Sequence, residues 1–183
     1  MDKSDKFFMV FSSNLVLRFA ATWLVFMLAC MPLGSAMAAS YVILMDNSVA
    51  EINVPDDWNP NSSDLGLDAS SPDNTLFFSI YVSTDSEEKA ALREAITTAE
   101  NGGVLQIDMG SLNAATVDIG SISTHEYGYD TMMNGAPGYL AINLVELNTG
   151  GYLQIIRWGT RKSFVANSAD AGQIFDSLKL IKY

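Results

Sequence analysis

The chain is poor in the residues most chemistry needs. In 183 residues it holds one cysteine, Cys30, one histidine, His125, and 10 lysines and arginines against 21 acids. Cys30 precedes every globular segment, which excludes a disulfide framework, a zinc–thiolate centre and thiol catalysis downstream of it. A lone histidine rules out histidine pairs as metal ligands and leaves one side chain that changes charge near neutral pH. The shortage of bases argues against nucleic acid, because phosphate binding rests on lysine and arginine. Walker loops, dinucleotide fingerprints and glycine-flanked serine elbows are absent from the sequence. One uncharged apolar run, residues 19–33, is short for a membrane span, and nothing after it approaches one.

That run has the context of a leader. Lys3, Lys6 and Arg18 precede it, and Ala36-Met37-Ala38 follows as a small-x-small cleavage site. The expectation is a secretory signal peptide over residues 1–38 and a single domain over residues 39–183, periplasmic or secreted, with no membrane span in the mature chain. A second reading stays open: Met27-Leu28-Ala29-Cys30 resembles a lipoprotein box, which makes Cys30 a lipid anchor. Removing residues 1–38 leaves seven bases against nineteen acids. Residues 39–74 carry seven of those acids and no base, a pattern expected of a solvated surface.

Hydrophobic spacing supplies the elements. Residues 139–147 and 152–158 are apolar on both parities and are joined by Asn148-Thr149-Gly150-Gly151, which predicts a hairpin covered on both faces. Leu76, Phe78, Ile80 and Val82 alternate with Phe77, Ser79, Tyr81 and Ser83, a period-two strand. Short strands are predicted at 41–45 and 49–54, split by Asp46-Asn47, and at 65–69, 104–109, 116–119 and 122–129. Residues 110–115 read as a loop or helical turn, and residues 132–138 as a loop. Asp85 and Glu88 have capping-box spacing ahead of a helix with Leu92, Ala95, Ile96 and Ala99 on its apolar stripe, closed by Asn101-Gly102-Gly103. A second helix runs from Ser168 to the end, with Ala171, Ile174, Phe175 and Leu178 facing the core. Strands, helix, strands, helix with hairpin connections give an α+β fold with a mostly antiparallel sheet. One helix on each face would explain the doubly apolar central strands.

Val54-Pro55-Asp56-Asp57-Trp58 resembles the V-P-x-x-W entry of the PsbP-like superfamily. The strand 152–158, Phe164 and the closing segment around Ser177-Leu178-Lys179 are similar to that family's ending. Asp57 stands where many members carry glycine. The resemblance, of the bacterial periplasmic DcrB-like type, implies an α/β/α sandwich and a binding or accessory role. It assigns no functional residue here.

Three constellations remain to be weighed. His125 shares strand parity with Ser123, Tyr127 and Tyr129, which is either a sheet-surface histidine or the general base of a hydrolase. Convergent carboxylates are the other hydrolase route, with no pair singled out. Asp57, Asn59, Asn61, Ser63 and Asp68 fall at calcium-loop offsets, but Ser62 replaces the loop glycine, Asp68 the bidentate glutamate, and Pro60 stiffens the centre. The plainer reading of that stretch is a solvated Asn/Asp turn. Arg157, Arg161 and Lys162 gather positive charge beside Trp158 and Phe164, a candidate surface for an anionic ligand or partner, against the plainer reading of pairing with the chain's own acids. The reading that follows is a non-catalytic exported domain, without cofactor, that binds a protein or a cell-envelope component. A hydrolase and a calcium-responsive domain are the alternatives.

Overall fold

The structure, a computed structural model, describes residues 38–45, 48–63, 66–133, 135–148 and 150–182. Residues 1–37, which include Cys30 and all but the last residue of the expected signal peptide, and Asp46 and Asn47 lie outside the described residues. Among the described residues, ten strands form two antiparallel sheets. The first is three-stranded, in the order β1 (Ala38–Met45), β2 (Ser48–Pro55), β10 (Lys179–Lys182). The second has seven strands in the order β3 (Asn61–Ser63), β4 (Gly66–Ser70), β5 (Leu76–Ser83), β9 (Tyr152–Thr160), β8 (Ala136–Glu146), β7 (Ile122–Met133), β6 (Leu105–Ile119).

Alternation along β5, β8 and β9 sorts side chains into two cores. Leu76, Phe78 and Ile80, with Leu153 and Ile155, face one side, where Ile52 and Val54 of the small sheet, Trp58 and Phe175 meet them. Trp58 gets there because Asp56–Trp58 forms a 3-10 turn directly after Pro55. Leu140, Ile142, Leu144, Ile156 and Trp158 face the other side. There they pack under α1 (Glu88–Asn101), whose buried residues are Ala91, Ala95 and Ala99. Alanines four residues apart make one face of a helix, and their small size lets the backbone lie close to β8 and β9. Leu92 and Ile96, expected on the stripe, are half-buried beside it.

The α+β class with a mostly antiparallel sheet holds, and four expectations change. The terminal helix is split and shortened: α2 (Arg161–Ala166) and α3 (Ser168–Asp176) precede a strand, β10, which pairs Lys179 with Glu51 and Lys182 with Ser48. The open edge of β2 captures the last residues, so this face is covered by a small sheet and two short helices. Residues 110–115 continue β6, and residues 132–138 belong to the β7–β8 hairpin, which turns at Gly135 with φ of 80°. The capping box does not form: α1 starts at Glu88 with Glu87, not Asp85, at the N-cap and no side-chain cap, and Glu88 reaches across to β7.

Candidate functional site

The helix α1 is shorter than the sheet it covers. It lies over β8 and β9 and ends at Asn101 and Gly102, so the wing formed by β5, β4 and β3 extends beyond it. The register brings Asp68 opposite Ser79, Ser70 opposite Phe77 and Asn61 opposite Asp68. These residues therefore share the α1 side of the wing. The result is a groove of about 570 Å³ between the end of α1 and the wing.

Two kinds of group form its floor. Phe77 stacks on Trp158 with ring centroids 5.8 Å apart and planes 15° from parallel. Gly102 makes room for the indole: a Cβ there would stand 2.8 Å from Trp158 Cζ2. Beside this pair, the Asp68 carboxylate accepts hydrogen bonds from the Ser79 hydroxyl and from the Tyr81 phenol at 2.8 Å. Burial, then the bond to Asp68 and its charge, pushes the Tyr81 phenol up to about 12, so it stays a donor across the neutral range. Asn59, held in the left-handed region at φ 47°, and Asn101 and Thr98 of α1 complete the rim. Among the described residues, no lysine, arginine or histidine lines the groove.

The four residues singled out for charge and aromaticity do not share one surface. Arg157 and Trp158 are neighbours on a strand and point to opposite faces. Trp158 lines the groove, whereas Arg157 turns to the other side, where its Nη2 donates to Glu126 Oε2 at 2.6 Å and to Asn143 Oδ1 at 2.9 Å. Asn143 in turn donates to Thr124 Oγ1 at 3.0 Å, and the Arg157 guanidinium sits over the Phe175 ring, 5.3 Å from its centroid. Burial lowers the Arg157 pKa from its ordinary value, and Glu126 opposes that shift. Arg161 pairs with Asp130 and lies over Tyr139, 5.1 Å from the ring centroid, and Lys162 is exposed at the head of α2.

His125 stands elsewhere on the α1 side, by a recess of about 260 Å³ that includes Ser123, Thr116 and Tyr152. Its Nδ1 lies 2.5 Å from Glu88 Oε1, which also accepts from the Tyr127 phenol at 2.8 Å. A triad would need a hydroxyl at the other ring nitrogen, and among the described residues Glu88 is the histidine's one hydrogen-bond partner. The His125 bond, foremost, holds the Glu88 pKa below the ordinary carboxylate range; desolvation opposes it, and the Tyr127 bond adds a smaller lowering. A depressed folded value makes Glu88 stabilising above about pH 4.3, and that contribution fades as pH falls through the folded value. Glu88→Gln is therefore expected to flatten the acid side of the stability curve below about pH 4.3 and to cost, at neutral pH, about 0.5 kcal/mol for this largely exposed pair. Urea unfolding between pH 3 and pH 7 is the measurement, and an unchanged acid slope would contradict it.

Of the calcium-loop residues, Asp57 lies in the 3-10 turn, Asn59 follows it, Asn61 and Ser63 are on β3, and Asp68 is engaged by Ser79 and Tyr81. Among the described residues, no group of three or more histidine, cysteine, aspartate or glutamate side chains converges to hold a metal. Phe77, Ser79 and Tyr81 are not marked as a site by any motif. Their shared parity on β5 is the one signal that groups them.

The sequence matches no protein-family model and no curated protein. Among solved structures, one PsbP shares its fold. Cyanobacterial PsbP (CyanoP) from Synechocystis, known from a solution structure, is 14% identical, with 84% of this chain and 97% of that one covered and a TM-score of 0.50. LpqN of Mycobacterium tuberculosis, described as involved in cell envelope biogenesis, is 16% identical, with 78% of this chain and 91% of that one covered and a TM-score of 0.49. The chain has the PsbP-like fold, at low sequence identity to the proteins that share it. Among the described residues, no helix is long and apolar enough to cross a membrane.

Proposed function

We propose that this chain is a non-catalytic binding domain, exported with loss of residues 1–38 or anchored through Cys30, which holds a cell-envelope component in the groove between α1 and the β3–β5 wing. The observation that carries this reading is the groove itself: an aromatic pair and a hydrogen-bonded carboxylate on a strand floor that no described element covers. Small-ligand sites are concave, part apolar, and furnished with a few convergent polar groups. The floor is also rigid. Its groups stand on the central strand β9, on its neighbour β5 and, for Asp68, on β4, all held in one sheet, so binding needs little reordering. Arg161 and Lys162, at the head of α2, form the alternative contact point for a protein partner.

Site-specific photocrosslinking in cells separates the two. A photoreactive phenylalanine at Asn101, on the groove rim, is expected to give discrete adducts. The same group at Lys162 is expected to give none. Adducts from Lys162 alone would move the binding surface to α2. No adduct from either position, together with turnover of a defined substrate that His125→Ala abolishes, would replace the binding reading with the hydrolase.

A further inference from the structure

The groups in the groove discriminate among ligand classes. Anions are disfavoured twice, because no described base lines the groove and a carboxylate sits in its floor. Acyl chains are disfavoured because hydroxyl and amide groups interrupt the apolar wall, and covering them with hydrocarbon leaves buried polar atoms unpaired. A quaternary ammonium seeks several open aromatic faces. Here Trp158 is only 6% exposed, which leaves the half-buried Phe77 as the one accessible face of the stacked pair.

What remains is a surplus of groups that both donate and accept. The amides of Asn59, Asn61 and Asn101 and the Thr98 hydroxyl do both; Ser70, whose hydroxyl donates to Asn74 Oδ1, still accepts, and all of them line the groove with Phe77. Asp68 has accepted two hydrogen bonds, and a carboxylate has about four acceptor positions, so two remain for donors from outside. A ligand that matches this set presents hydroxyls around its rim and a flat apolar face. That is the description of an uncharged sugar ring. The groove's volume of about 570 Å³ lies inside the range of about 300–1,000 Å³ usual for small-ligand sites.

We infer that the groove binds an uncharged glycan, with a sugar ring laid on Phe77 and its hydroxyls shared between Asp68 and the asparagine amides. This rests on the binding reading above and narrows its ligand to one chemical class. The sugar can come from a free saccharide or from an envelope polymer that displays it.

The test is an amide chemical-shift titration of the chain, residues 39–183, with cellobiose, maltotriose and the N-acetylglucosamine disaccharide. Choline, a hexose phosphate and decanoate are the contrasting probes, and sedimentation with purified cell-wall sacculi reports polymer binding. At least one neutral sugar is expected to shift the amides of Asp68, Ser79, Tyr81 and Asn101. Phe77→Ala is expected to weaken that binding about tenfold, the loss of one aromatic stack. Asn101→Ala, at an exposed helix end where folding is not at stake, is expected to weaken it about threefold, one hydrogen bond's worth. Co-sedimentation with sacculi in addition to these shifts would assign the sugar to a polymer, and shifts without it to a free saccharide. Groove shifts caused by choline, hexose phosphate or decanoate, with the neutral sugars silent, would overturn the glycan and leave a binding groove. A groove silent to every probe would overturn the glycan, and with no crosslink from Asn101 it would overturn the binding reading too.

Discussion

Phe78→Ala is expected to lower the unfolding free energy by about 3–5 kcal/mol, the range for truncating a buried aromatic residue. Phe78 is 1% exposed at the centre of the core that joins the two sheets. Its ring lies 5.8 Å from Trp58 and 5.3 Å, edge-on, from Phe175, so one side chain ties the 3-10 turn after β2 and the helix α3 to β5. Truncation removes the transfer free energy of the ring and leaves a void that neighbours on three separate elements cannot close together. Phe77, one residue earlier, makes the opposite prediction. It faces the groove, and Phe77→Ala is expected to cost about 1–2 kcal/mol, because a half-buried ring loses a smaller transfer term and one stack. Urea unfolding of both variants, with groove titration of each, separates scaffold from site: Phe78→Ala should lose the more stability and retain ligand, Phe77→Ala should lose less stability and bind about tenfold more weakly. Equal losses of stability would mean that the two faces of β5 are not independent cores.

That division between adjacent residues is legible in the amino-acid pattern. Period-two alternation in residues 76–83 places Phe77, Ser79 and Tyr81 together, and the glycines of Asn148-Thr149-Gly150-Gly151 announce the β8–β9 hairpin, where Gly150 and Gly151 take φ of 80° and 90°. The end of the chain is ambiguous for a physical reason. Leu178 continues the helical spacing of Ala171, Ile174 and Phe175 and also alternates with Leu180, and the decision falls to the free edge of β2, about 130 residues away in sequence and invisible to any local window. Residues 110–115 mislead differently: β6 is an edge strand, mostly exposed, so it needs no apolar alternation and shows none. The groove is illegible because it is a difference in placement. It exists because α1 packs on β8 and β9 while β3, β4 and β5 lie beside them in the sheet, and neither fact is written near Asp68 or Tyr81. Arg157 and Trp158 form a group by adjacency alone, and strand geometry assigns adjacent residues to opposite faces.

Glu126→Ala carries the second large effect, about 2–3 kcal/mol of destabilisation. Breaking a fully sequestered ion pair costs about 3–5 kcal/mol, and the discount reflects the 21% of the Arg157 side chain that remains exposed. Without Glu126 the guanidinium loses its counter-charge but stays committed to the sheet, held by Asn143 and stacked over Phe175, with its Nε buried and already lacking a partner. The penalty is therefore that of an unpaired charge in a poorly hydrated place, and it exceeds the net worth of the pair. Replacing both groups distinguishes these quantities. Glu126→Leu combined with Arg157→Met removes charge and counter-charge while keeping volume, and it is expected to recover most of the loss, ending within about 1 kcal/mol of the parent chain. A double-mutant cycle read by urea unfolding supplies the coupling energy. A cost below about 0.5 kcal/mol for Glu126→Ala would place the pair with exposed surface bridges and free Arg157 to meet a ligand. The expected large cost identifies Arg157 as part of the scaffold, so the double variant should also bind in the groove as the parent does. Of the sequence's aromatic and basic cluster, Trp158 alone would then remain in the site.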